Sequence, residues 1–118
     1  MADDRAQHFA SLAQIAREIL RSRELRRQYF PAAMFSEIPW DMLLTLFCDE
    51  AAEKSHSPKS LCSTIAAPPT TARRWIDYLV AQELIVEMDH LIGSSVRLTA
   101  KARHALEQYL KAVSTSER

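Results

Sequence analysis

At 118 residues the chain fits a single domain, and its 47% hydrophobic and 25% charged content is that of a folded chain, not a disordered one. Fifteen Lys and Arg balance fifteen Asp and Glu, so the formal net charge is zero and the total alone gives no strong pull towards polyanions. One glycine against five prolines argues against a turn-rich all-β fold; no apolar run approaches the roughly 20 residues of a membrane span, and no signal peptide opens the chain, which points to the cytoplasm.

In chain order, residues 1 to 6 read as a frayed polar tail. A long helix is expected from there to about Tyr29. Phe9, Leu12, Ala16 and Ile19 recur three and four apart, Ile15 and Leu20 widen the stripe, and no proline or glycine interrupts it. Its second half carries Arg17, Arg21, Arg23, Arg26 and Arg27. Such a block is either a solvated face or a set of phosphate contacts. The connector from Tyr29 to Pro39 is rich in aromatics, and Phe30, Phe35 and Trp40 are expected to pin the first helix to the domain. Pro39 opens the next helix, with Trp40, Leu43, Leu44, Phe47, Cys48 and Ala51 as its core stripe and an end near Lys54. Cys48 and Cys62 form no disulfide framework and read as small buried hydrophobes, because a reactive thiol needs exposure and a lowered pKa.

The next stretch reads as helix, tight turn, helix. Ser57 can cap the first helix and Pro58 suits its first position, where a missing N–H costs nothing. Leu61, Cys62 and Ile65 share one face. Pro68 and Pro69 stop that helix, and a second restarts near Pro69 or Thr70 and ends near Gln82. Ala72, Trp75, Ile76 and Leu79 make its inward stripe; Thr70, Thr71, Arg73, Arg74, Asp77 and Tyr78 face outward. Hydroxyls and guanidinium groups on the first turns of an exposed helix suit a DNA major groove. Leu84–Met88 and Ser95–Leu98 then alternate as strands of a hairpin, with Gly93 at or near its tip. Thr99 can cap a last helix whose stripe is Ala102, Leu106, Tyr109, Leu110 and Val113, and residues 114 to 118 read as a disordered tail.

The run from Leu61 to Ile85, then a short hairpin and Leu98-Thr99-Ala100-Lys101-Ala102, resembles the winged helix-turn-helix of MarR-type transcriptional regulators. Leu61, Thr71, Arg74, Leu79, Leu84, Ile85, Leu98 and Thr99 carry the likeness. It implies a mainly α fold with a small β-hairpin wing. Residues 1–30 would be an N-terminal dimerisation helix, 31–98 the winged helix-turn-helix, and 99–118 a C-terminal helix and tail. It also implies a sequence-specific DNA-binding regulator acting as a homodimer on double-stranded DNA. Lys59, Ser60, Pro69, Thr70, Thr71, Arg73, Arg74, Ser94, Ser95 and Arg97 are the candidate DNA-binding residues. Thr70, Thr71 and Arg73 would face base edges, while Arg74, Lys59 and Ser60 would hold phosphates. Two positions depart from the family. Glu83 stands where a glycine is usual, and the wing lacks the aspartate–arginine pairing that enters the minor groove, offering His90, Ser94 and Ser95, with Arg97 on the returning strand.

Two other readings stand beside this one. Zero net charge, the missing wing arginine and the acidic Glu83, Glu87 and Asp89 fit a winged-helix protein-interaction module. MarR-type dimers often hold a small molecule between the dimer helices and the DNA-binding lobe, and Phe30, Phe35, Trp40 and Phe47 could line such a pocket or simply pack the core. No catalytic constellation is visible. His8, His56, His90 and His104 are scattered, there is no Cys-x-x-Cys, and a single glycine excludes a glycine-rich phosphate loop. Neither enzymatic activity, nor a metal, nor a cofactor is expected.

Overall fold

The computed structural model describes the backbone of residues 2–31 and 36–116, and the side chains of residue 13 and, in those stretches, of residues 17 to 113. The stripe expected from Phe9, Leu12, Ile15 and Ala16, the aromatic Phe35, and residues 117 and 118 lie outside that set. The first helix, α1 (Ala2–Tyr29), takes in residues read from the sequence as a frayed tail. Its C-terminal half is held by aromatic chemistry. Ser22 Oγ and Tyr109 Oη share a hydrogen bond at 2.8 Å, Tyr29 meets Tyr109 edge-on at 6.4 Å, and the Arg26 guanidinium stands 5.0 Å above the Trp40 ring.

Helix α2 (Glu37–Ala51) buries Pro39, Met42, Leu43 and Leu46. Of the expected stripe, Leu43 is buried and Trp40, Leu44 and Phe47 are half buried against the core, whereas Cys48 and Ala51 are exposed. Apolar residues surround this helix on nearly every side, so spacing alone does not choose between faces. Phe30 does close the aromatic cluster as expected, meeting Trp40 at 5.4 Å, and Trp40 meets Tyr109 at 5.2 Å. Phe30 is buried there, and Trp40 packs against the same core. Phe47 lies apart from these rings, in a groove of about 650 Å³ shared with the C-terminal half of α2, Arg97 and Arg103.

Helix α3 (Pro58–Thr64) starts as its sequence dictates: Ser57 Oγ accepts from the Ser60 N–H at 3.0 Å and Pro58 sits just inside. The helix stops before the double proline. Helix α4 (Pro69–Ala81) then begins with Pro68 as its cap residue and Pro69 at its first position. Ala72, Ile76 and Leu79 are buried under it, with Leu61 of α3.

A single device ends α2, α3 and α4. Glu53, Ala66 and Glu83 adopt left-handed backbone, with φ of 59°, 56° and 61°. After each, the next residue's N–H reaches back to the carbonyl five positions earlier: Lys54 to Asp49, Ala67 to Cys62, Leu84 to Leu79. This is the Schellman arrangement, in which glycine is the usual left-handed residue. The chain holds one glycine and performs all three with alanine or glutamate. Glu83 thus adopts the left-handed backbone with a side chain that glycine would lack.

Leu84 leads into the wing. Strands β1 (Ile85–His90) and β2 (Gly93–Leu98) pair antiparallel from Ile85↔Leu98 to His90↔Gly93. The turn is Leu91-Ile92, so the tip is one step earlier than Gly93 and the hairpin longer than the alternation suggested. Gly93, at φ 138°, absorbs the unfavourable backbone of the turn. Val96 also pairs with His56, which fixes the loop before α3 to the wing. Helix α5 (Ala100–Ser116) is capped by Thr99, whose hydroxyl accepts from the Ala102 N–H at 3.0 Å. It reaches three residues further than expected and packs Ala102, Leu106 and Tyr109 into the core. The molecule is elongated, 66 × 28 × 27 Å, and its radius of gyration of 17.5 Å exceeds the roughly 13.5 Å of a compact chain this long. Helix α1, about 42 Å by its rise per residue, accounts for the excess. Among the described residues no helix is long and apolar enough to cross a membrane.

Candidate nucleic-acid interface

The core under α4 decides what the helix shows to solvent. With Ala72, Ile76 and Leu79 turned inward, the opposite face is centred on Thr70 and Arg74, with Arg73 on the flank towards the wing and Thr71, Trp75 and Tyr78 on the other flank. Lys59 is exposed on the first turn of α3, and Pro69 and Thr70 on the first turn of α4. These groups are thus brought to one side of the molecule, next to the hairpin.

Arg73 and Arg74 differ sharply. Arg73 donates from Nε at 3.0 Å and Nη2 at 2.6 Å to Asp77 Oδ1, one turn along the helix. The same guanidinium forks onto Glu87 of β1, with Nη2 to Oε1 at 2.6 Å and Nη1 to Oε2 at 3.1 Å. Hydrogen bonding to Glu87 and then Asp77 raises the Arg73 pKa further, so it is charged at every relevant pH. Arg73 in return holds the Glu87 carboxyl below its ordinary range, against the opposing effect of burial, and the Ser94 hydroxyl adds a smaller contribution. The cluster carries one positive and two negative charges. These bonds link the wing to α4 through a guanidinium that stays about half exposed. Arg74 is exposed and makes no hydrogen bond or ion pair among the described residues.

Two of the three wing candidates also have partners. Ser94 serves Glu87, and Ser95 Oγ lies 2.8 Å from His90 Nε2. Arg97 is exposed on β2, opposite Val86. Leu91 and Ile92 form the tip with essentially no burial (106% and 100% relative exposure). The wing thus ends in two exposed aliphatic side chains.

The sequence reading passed over one polar node. His56 is nearly buried, at 9% exposure. Its Nε2 pairs with Asp49 of α2, its Nδ1 lies 2.9 Å from Ser60 Oγ of α3, and its carbonyl accepts from Val96 N–H at 2.9 Å. Ser60 is exposed, and its hydroxyl is engaged by His56. The order serine–histidine–carboxylate is that of a nucleophile relay, but the N–H groups beside it are spent: that of Ser60 on Ser57 Oγ and that of Leu61 on the Ser57 carbonyl. The node fastens α2, α3 and the wing together. Only its position between Asp49 and Ser60 could have flagged it in the sequence, and both partners come from other elements. Among the described residues no three His, Cys, Asp or Glu side chains are grouped to hold a metal ion.

The fold is that of MarR-like winged-helix proteins. RV1404 from Mycobacterium tuberculosis superposes with a TM-score of 0.72 at 19% identity, over 91% of this chain and 71% of that one. A MarR family protein from Bacillus stearothermophilus gives 0.67 at 15% identity, over 98% and 79%. Bordetella bronchiseptica BpsR, whose DNA binding is regulated by 6-hydroxynicotinic acid, gives 0.55 at 18% identity, over 88% and 76%. No protein-family model matches the sequence. No curated protein matches it either.

Proposed function

We propose that the protein is a DNA-binding transcriptional regulator that inserts α4 into the major groove of a duplex. The observation that carries this is the outward face of α4, where Thr70 and an uncommitted Arg74 stand clear of the core, with half-buried Thr71 on the flank, beside a wing clamped in place. In this reading Thr70 and Thr71 meet base edges, and Arg74 and Lys59 take phosphates. Pro69 sets the start of the helix, Arg97 flanks it from the wing, and Arg73 positions the wing. The likeness to BpsR supports the same direction at the level of fold.

A homodimer follows from the same reading. Ile19 and Leu20 are 49% and 61% exposed on α1, a helix that runs beyond the lobe and has apolar surface to cover. Two α4 helices from a two-fold dimer would meet half-sites one helical turn apart. Light scattering should give twice the 13.4 kDa chain mass. A small-molecule effector would fit the groove among α2, β2 and α5, and the cytoplasm would be the place of action. Selection of bound fragments from sheared genomic DNA by the purified protein tests the main proposal. Recovery of a common sequence supports it; recovery no different from the input defeats it.

One observation favours a protein-binding role instead. The flank of α4 nearest the wing carries net negative charge, and the wing tip is apolar. A protein of this second kind would pass heparin unretained at low salt and co-purify with a polypeptide partner.

A further inference from the structure

Trp75 and Tyr78 lie three residues apart on the flank of α4 that faces away from the wing. Their rings meet edge to face, with centroids 5.5 Å apart and planes at 90°. Both are half buried. One side of the pair packs against the core, and the other borders an open recess of about 300 Å³. Thr71 and Arg74 complete its walls. Among the described residues neither the Thr71 hydroxyl nor the Arg74 guanidinium has a partner.

Four adjoining groups therefore offer an aromatic wall, a hydroxyl and an unpaired cation within one shallow recess. The cation selects an anionic neighbour, and the rings select an apolar group. In the major groove only thymine presents an apolar substituent, its C5-methyl, beside an O4 acceptor and within one nucleotide of a phosphate. Cytosine places an amino donor where O4 would be, and the purines lack the methyl.

We propose that this recess receives the C5-methyl group of a thymine. The methyl lies against Trp75 and Tyr78, Thr71 donates to O4, and Arg74 holds the adjoining phosphate. The assignment rests on α4 being the DNA-reading helix and adds which base it reads. It makes Trp75 and Tyr78 specificity-determining residues, a role that the inward stripe of the sequence hides for Trp75.

The test uses the full chain and a duplex recovered by the fragment selection. Each thymine is replaced in turn by uracil, which differs by the one methyl group. One position in each half-site should lose about fourfold in affinity, the worth of burying one methyl-sized group. In a Tyr78→Ala variant with an unchanged circular dichroism spectrum, the thymine–uracil difference at that position should shrink towards one. Trp75→Phe serves as a second variant if Tyr78→Ala does not fold, with a partial loss of the difference expected. If the wild-type protein binds its duplex and no uracil substitution matters, the recess proposal fails while the DNA reading stands. If the difference persists undiminished in the folded variant, the methyl is read elsewhere and the proposal fails again. If no duplex is bound in preference to any other, both fail together.

Discussion

Arg73 and Arg74 are neighbours in the sequence and opposites in the folded chain. Arg73 is held by two carboxylates and spends its charge on joining α4 to β1. Arg74, one residue on and turned about 100° around the helix, is unengaged. Residue type was the same; what differed was what lay opposite. Asp77 one turn along and Glu87 on a strand fourteen residues away face Arg73, and no acid among the described residues reaches Arg74. The comparison teaches that two adjacent arginines on one helix can differ in role, one joining two elements and the other left open to solvent.

The two flanks share one floor, and removing it should abolish the distinction. Ile76→Ala empties a site that is 1% exposed beneath α4 and should cost about 2–5 kcal/mol in denaturant unfolding. The next effect is confined to the wing flank. Gly93→Ala puts a side chain on a backbone with φ of 138°. No atom lies within 4 Å of the added carbon, so the cost of roughly 1–3 kcal/mol is wholly conformational. Hydrogen exchange should locate it in β1 and β2.

Glu83→Gly works in the other direction. It relieves the left-handed residue that turns α4 into β1 and should stabilise the protein by about 1 kcal/mol, read as a rise in melting temperature. Ala66→Gly and Glu53→Gly test the same device elsewhere. The smallest effect is that of the clamp itself. Arg73 is about half exposed, so solvent screens the pairs and Arg73→Ala should cost no more than about 1 kcal/mol near neutral pH. Its signature is the pH dependence. The Glu87 carboxyl is depressed in the folded state. Its contribution is therefore complete above the unfolded glutamate value of about 4.3 and is lost as pH falls through the lower folded value. Stability of the wild-type protein should fall over that acid window, and Arg73→Ala should remove this part of the fall.

The elements of the winged helix were legible because each carries its own signal: Ser57-Pro58 at the start of α3, Pro68-Pro69 before α4, alternation in the hairpin, Thr99 ahead of α5. Three things were not. The centre of the buried face of α2 was misplaced because Met42 and Leu46 compete with Trp40 and Phe47 for the core, and the packing of α4 and β2 against the helix breaks the tie. The exposure of Cys48 follows from that same rotation. The state of Arg73 depends on Glu87, and that of Ser60 on His56 and Asp49. Helical spacing told that these side chains face outward or stand near a helix start. It carries no information about partners supplied by another element.

The central claim is that α4 meets DNA through Arg74 while Arg73 holds the wing. Affinity for one selected and one scrambled duplex, measured across a range of salt for the wild type, Arg73→Ala and Arg74→Ala, tests it most directly. Arg74→Ala should weaken both duplexes and lower the slope of log affinity against log salt by about one phosphate's worth, whereas Arg73→Ala should leave that slope unchanged. A slope unaltered in Arg74→Ala, or one flattened by Arg73→Ala alone, would contradict the account.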